Sequence, residues 1–182
     1  ALFFIGIGNA LPLPIVGSTL SFWLTETGFE KSTIGLFALL AIPTSLKILW
    51  SPFIDRFSLP FFKDRQRKGW ILFSLSGMIA TLICMSLIDP AVSFWILAGC
   101  IFAISTFTGC LYMAGISYEL ESLESERYPM GSANVIAGYR IGLLCGGGGV
   151  LFISTLWDWS AAFQCAALLL SLGAAIVLFL PE

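Results

Sequence analysis

The sequence predicts an all-α polytopic membrane protein built as one six-helix bundle. Three observations carry that expectation. Of 182 residues, 58% are hydrophobic and 11% are charged, with a mean hydropathy of +0.94. A soluble domain carries about 25% charged residues, and nine cations with eleven anions supply too little polar surface for a soluble sphere of this size. The apolar residues also fall into six long runs separated by polar punctuation. Finally, a helix needs about 20 residues to cross the hydrocarbon core, so this length holds about six spans with short connections. The same numbers exclude a soluble globular domain, a disordered chain and a nucleic-acid binder of the usual basic kind.

The spans are expected at 1–24, 33–54, 70–88, 91–117, 131–155 and 161–180. The first residues are already apolar with no charged segment before them, which reads as a chain entered partway through its first span and not as a signal peptide. Span 1 contains Gly6, Gly8, Pro12, Pro14 and Gly17, and a break or kink is expected near Leu11–Pro14. Gly28 suits a helix C-cap and Ser32 an N-cap for span 2. Span 2 contains Pro43, Lys47 and Pro52. Asp89-Pro90 turns the chain between spans 3 and 4, an acidic loop (118–130) separates spans 4 and 5, and Leu156–Ser160 forms an aromatic turn before span 6.

Charge placement sets the expected orientation. The loop 55–69 holds Arg56, Lys63, Arg65, Arg67 and Lys68, five of the nine cations, against Asp55 and Asp64. A short loop so rich in Lys and Arg belongs on the cytoplasmic side. Both chain ends and the acidic loop then lie on that side as well.

Candidate functional residues follow from their cost in lipid. Lys47 and Arg140 both fall at membrane depth, where a charge costs at least about 2.5–3.5 kcal/mol on insertion scales. Each either snorkels or holds a loop carboxylate, or else lines a watery path that attracts an anion. No carboxylate lies in the middle of any span, so proton coupling would use a group at a membrane edge or elsewhere in the protein. Asp55 and Arg56 at the end of span 2, followed by Arg65, Arg67 and Lys68, suit a latch between two helices at the cytoplasmic edge. Gly138, Gly142 and Gly146 recur every four residues, a spacing that lets helices approach closely. Polar side chains of span 1 (Asn9, Ser18, Thr19, Ser21) and span 4 (Ser105, Thr106, Thr108) either face a cavity or bond back to their own helix. The five cysteines lie in apolar runs without a CxxC pair, and histidine is absent. They read as small packing residues, with no metal, no cofactor and no hydrolase-type triad.

Several stretches resemble one family. Gly8-Asn-Ala-Leu-Pro-Leu-Pro-Ile-Val-Gly-Ser-Thr-Leu-Ser-Phe-Trp-Leu-Thr, Leu46-Lys-Ile-Leu-Trp-Ser-Pro-Phe-Ile-Asp-Arg, Arg65-Gln-Arg-Lys-Gly-Trp and Ala137-Gly-Tyr-Arg-Ile-Gly-Leu-Leu are similar to the corresponding segments of the AmpG muropeptide permeases. That resemblance implies a major facilitator superfamily fold of which this chain is the N-terminal six-helix half, with spans 1–3 and 4–6 as inverted repeats. It further implies a cell-wall recycling transporter in a bacterial inner membrane, driven by protons and completed by a second six-helix half. Lys47, Asp55, Arg56 and Arg140 match the family's motifs. Arg140 and Lys47 would meet carboxylates of a muropeptide, and Trp23 and Tyr112 would stack on its sugar rings. The stretch Cys110-Leu-Tyr-Met-Ala-Gly-Ile-Ser departs from the pattern, because it carries none of the acids the family places in and after the middle of span 4. Two other readings stay open: a membrane relic or assembly partner without transport, and a transporter of another anion such as an acetyl-CoA-like molecule.

Overall fold

The computed structural model describes residues 2–46, 51–56, 66–90, 92–123 and 125–179, and it is all-helical there. Five helices are long and apolar enough to cross a membrane. They are α1 (Leu2–Glu26), α5 (Gln66–Leu87), α6 (Phe94–Ser122), α7 (Tyr128–Leu156) and α8 (Trp159–Phe179). Between α1 and α5 lie three shorter helices, α2 (Lys31–Leu39), α3 (Ile42–Ser45) and α4 (Ser51–Arg56).

The second of the six expected spans is not shown as one helix. Among the described residues, 33–54 contains no continuous helix of spanning length. Pro43 explains the interruption, since it lacks an N–H and its ring crowds the carbonyl four residues earlier. The chain tightens just before it: Leu40 and Ala41 donate to Phe37 and Ala38, three residues back. Pro43 then sits in the first turn of α3, where its missing donor does no harm.

In α1 the prolines act differently. Leu11 keeps helical angles (φ −56°, ψ −41°), and the helix runs on through Pro12–Pro14. It loosens just afterwards into a π turn at Ile15–Thr19. A π turn absorbs a disturbed hydrogen-bond ladder without ending the helix. Gly28 closes α1 with φ +85°, a left-handed angle that only glycine adopts without strain. Ser32 does not cap α2. Extended Glu30 precedes that helix, and Ser32, one residue inside it, donates to Glu30 Oε2 at 3.3 Å. At the other acidic segment, α6 runs on to Ser122, so Glu119 and Glu121 stand on helix and not on loop.

Two contacts organise the bundle. The first is the seam between α1 and α7. A Cβ on Gly138 would strike the carbonyl of Phe3, one on Gly142 would lie 2.7 Å from the carbonyl of Ile7, and one on Gly146 would strike the carbonyl of Leu11. Both partners step by four residues, so one stripe of glycines lies along one stripe of carbonyls. Gly6 returns the arrangement, its Cα approaching the carbonyl of Val135. Such close approach replaces the hydrophobic drive that helices lack in lipid with van der Waals and Cα–H···O contact.

The second contact is the packing of α5 between α6 and α8. Leu75, Leu111 and Leu170, one from each of these helices, converge on Gly8 of α1. The short helices α3 and α4 rest on α6, where Thr44 Oγ1 donates to the carbonyl of Ser105 at 3.2 Å.

Candidate functional site

The bundle has one end rich in charge and one rich in aromatic rings. At the aromatic end, Trp159 Nε1 donates to Glu26 Oε2 at 2.8 Å, tying the start of α8 to the end of α1. Ser160 Oγ donates to the carbonyl of Ser86 at 2.7 Å, tying α8 to the end of α5. Trp23 belongs to this cluster. Its ring lies 4.9 Å from that of Phe163 and 5.8 Å from that of Trp159, and only 4% of it is exposed. Its surface is thus spent on packing, and the ring is not offered to a solute in this conformation.

At the charged end, Arg67 Nε lies 3.1 Å from Glu121 Oε1, an ion pair between the first turn of α5 and the last turn of α6. Ser132 Oγ donates to Glu119 Oε1 at 2.6 Å and joins α6 to α7. Gln66 Nε2 donates to the carbonyl of Ile54 at 2.6 Å and joins α5 to α4. Lys68 is 3% exposed, and Arg56 is exposed at the end of α4. Lys47, Arg65 and the side chain of Asp55 lie outside the described residues. The end carries a chain of side-chain ties, then, but its described ion pair joins Arg67 to an acid of α6. The sequence marks Glu119 and Glu121 as acids at the cytoplasmic edge, but not the contacts that they, Ser132 and Gln66 make. The signal was present nonetheless: the expected topology put the basic loop and the acidic loop on one side, where opposite charges meet.

Arg140 stands near the middle of α7, about 18 Å from its start at 1.5 Å per residue. Gly138 and Gly142 face α1. A residue two positions from Gly138 points to the far side of the helix, and Arg140 is exposed there beside exposed Ile136 and Leu144. Among the described residues it has no hydrogen-bond or ion-pair partner. Of the five long helices, α7 buries the smallest share of its surface inside the bundle. An arginine at this depth on an uncovered face is an expensive group held in place by nothing within the described chain. Tyr112 is half-buried on α6, one residue past the Leu111 that packs on Gly8.

The other intramembrane polar groups divide. Ser21, Thr106 and Thr108 bond back to carbonyls four residues earlier, as isolated hydroxyls in helices do. Thr19 crosses instead to Gly146. Asn9 Oδ1 and the Ser105 hydroxyl are buried without a hydrogen-bond partner. No group of three or more His, Cys, Asp or Glu is placed to hold a metal ion among the described residues.

Long apolar helices packed through glycine, with an arginine at membrane depth, are features that solute carriers combine. The chain belongs to the Major Facilitator Superfamily, whose family model matches residues 1–182. Among named relatives, it is 32% identical over 184 residues to the putative transporter AmpG 4 of Rickettsia felis, an alignment covering 100% of this chain and 44% of the relative. It is 29% identical over 182 residues to the anhydromuropeptide permease of Escherichia coli K12, covering 100% of this chain and 37% of that protein. The chain thus spans less than half the length of these relatives.

Proposed function

We propose that this chain is the N-terminal half of a secondary active transporter that imports anhydromuropeptides across a bacterial inner membrane. The observation that carries the reading is Arg140, a cation at membrane depth without a partner among the described residues, on the least covered of the five long helices. In a low-dielectric cavity such a charge attracts a carboxylate far more strongly than it would in water, and the peptide part of a muropeptide supplies carboxylates. By its place in the sequence Lys47 is a second candidate cation for the solute, and Tyr112 offers a ring to a sugar. The name of the Escherichia coli relative supports the choice of solute. The Lys and Arg excess of the loop 55–69 supports a cytoplasmic position for the charged end. Protons drive the import through groups outside the middle of these spans.

The test is uptake of labelled anhydromuropeptide by cells carrying the full-length chain. Arg140→Ala abolishes uptake with normal membrane levels, and Arg140→Lys restores part of it. Full uptake by Arg140→Ala removes the assignment, and competition by coenzyme A thioesters instead of muropeptides reassigns the solute to another anion.

A further inference from the structure

The five cysteines read from sequence as separate packing residues, yet two of them meet. Cys84 lies near the end of α5 and Cys100 near the start of α6. The register of these antiparallel helices is fixed independently by Gly77, where a Cβ would lie 2.5 Å from the ring of Phe107. Cys84 follows Gly77 by seven residues, and Cys100 precedes Phe107 by seven. Seven residues are about two helical turns, so the cysteines face each other two turns along the same interface. The two thiols lie close enough to interact with one another. The two differ in access, Cys84 being half-buried and Cys100 only 8% exposed.

We propose that Cys84 and Cys100 form an oxidisable dithiol that closes into a disulfide between α5 and α6 when a hydroperoxide reaches it. The more accessible Cys84 reacts first. Its sulfur, as thiolate, attacks one oxygen of hydrogen peroxide; the O–O bond breaks, and the departing oxygen leaves as water with the proton the thiol gave up. Cys84 is then a sulfenic acid. The Cys100 sulfur attacks the Cys84 sulfur, the S–O bond breaks, and a second water leaves with the Cys100 proton. Two thiols have lost two electrons, and one peroxide has become two waters. Closing the bond brings the sulfurs to about 2.05 Å, a movement that rotation of two unbranched side chains at a shared contact supplies. The link staples the helices at the end away from the Arg67–Glu121 pair, so that α5 and α6 are held at both ends.

The experiment uses membranes containing the full-length chain. They are exposed to hydrogen peroxide, denatured, blocked with N-ethylmaleimide and read by peptide mass spectrometry. The expected result is an α5 peptide joined to an α6 peptide of the same chain through Cys84 and Cys100, released by dithiothreitol, while Cys110, Cys145 and Cys165 carry maleimide. In Cys100→Ala, Cys84 stops at the sulfenic acid and is trapped by dimedone. Maleimide on both cysteines of the unaltered chain after peroxide overturns the proposal. So does Cys84 oxidised without a link, or a link that joins two chains.

Discussion

Thr19 donates its hydroxyl to the carbonyl of Gly146 at 3.0 Å, and both residues lie in π turns that face each other across the α1–α7 seam. A π turn leaves backbone carbonyls poorly aligned with their own helix. The Thr19 bond gives one of them a donor in a place where water is absent. Thr19→Val keeps the shape and removes the donor. It is expected to lower stability by about 0.6–2 kcal/mol, the range of interhelical hydrogen bonds in membranes. Thr19→Ser should stay near the unaltered protein. Thermal unfolding in detergent, compared across the three, checks both statements.

Gly142 meets the carbonyl of Ile7 with no room for a side chain. Gly142→Leu should push α1 from α7 and destabilise the bundle by more than the ~1–3 kcal/mol typical of overpacking, because the obstacle is backbone. Gly148 has no neighbour within 4 Å of an added Cβ, so Gly148→Ala should be tolerated. A fluorescence size-exclusion profile after heating distinguishes the two variants.

The Arg67–Glu121 pair joins α5 to α6 at an end where Glu121 is exposed to solvent. Solvent screening keeps such a pair to under about 1 kcal/mol. Glu121→Gln should therefore have a small effect on stability, fading as salt is raised. The double exchange Arg67→Glu with Glu121→Arg should recover what either single change loses. A double-mutant cycle in low and high salt measures the coupling.

Orientation is open to a labelling test. Lys31 and Glu126 are both exposed, near opposite ends of the bundle. In a background without other cysteines, Lys31→Cys should react with an impermeant maleimide on intact spheroplasts. Glu126→Cys should react only after the membrane is opened. The reverse pattern would put the charged end outside.

Much of this architecture was legible in the residues. The four-residue period of Gly138, Gly142 and Gly146 announces a close helix contact, and the partner proves to be α1. The depth of Arg140 could be read from its place in an apolar run. What escaped depends on contact between distant segments. Pro43 and Pro12 look alike in sequence, yet α1 passes through its prolines into a π turn while α2 stops before Pro43. Trp23 looked available to a solute until Trp159 and Phe163, far along the chain, came to cover it. Glu121 falls in the expected acidic loop, yet α6 extends through it and carries it beside Arg67. Periodicity reports which face of a helix is special, and only packing reports what lies against that face.

The interruption at Leu40 and Ala41 bears on how the chain is made. A newly synthesised segment enters lipid readily when its own hydrogen bonds close, and a helix stopped in mid-course leaves carbonyls without donors. One tie on this segment reaches α6, where the Ser105 carbonyl accepts from the Thr44 hydroxyl, and α6 leaves the ribosome only after α5 is complete. The region around Pro43 therefore gains its Thr44 contact only after two further long helices have been made.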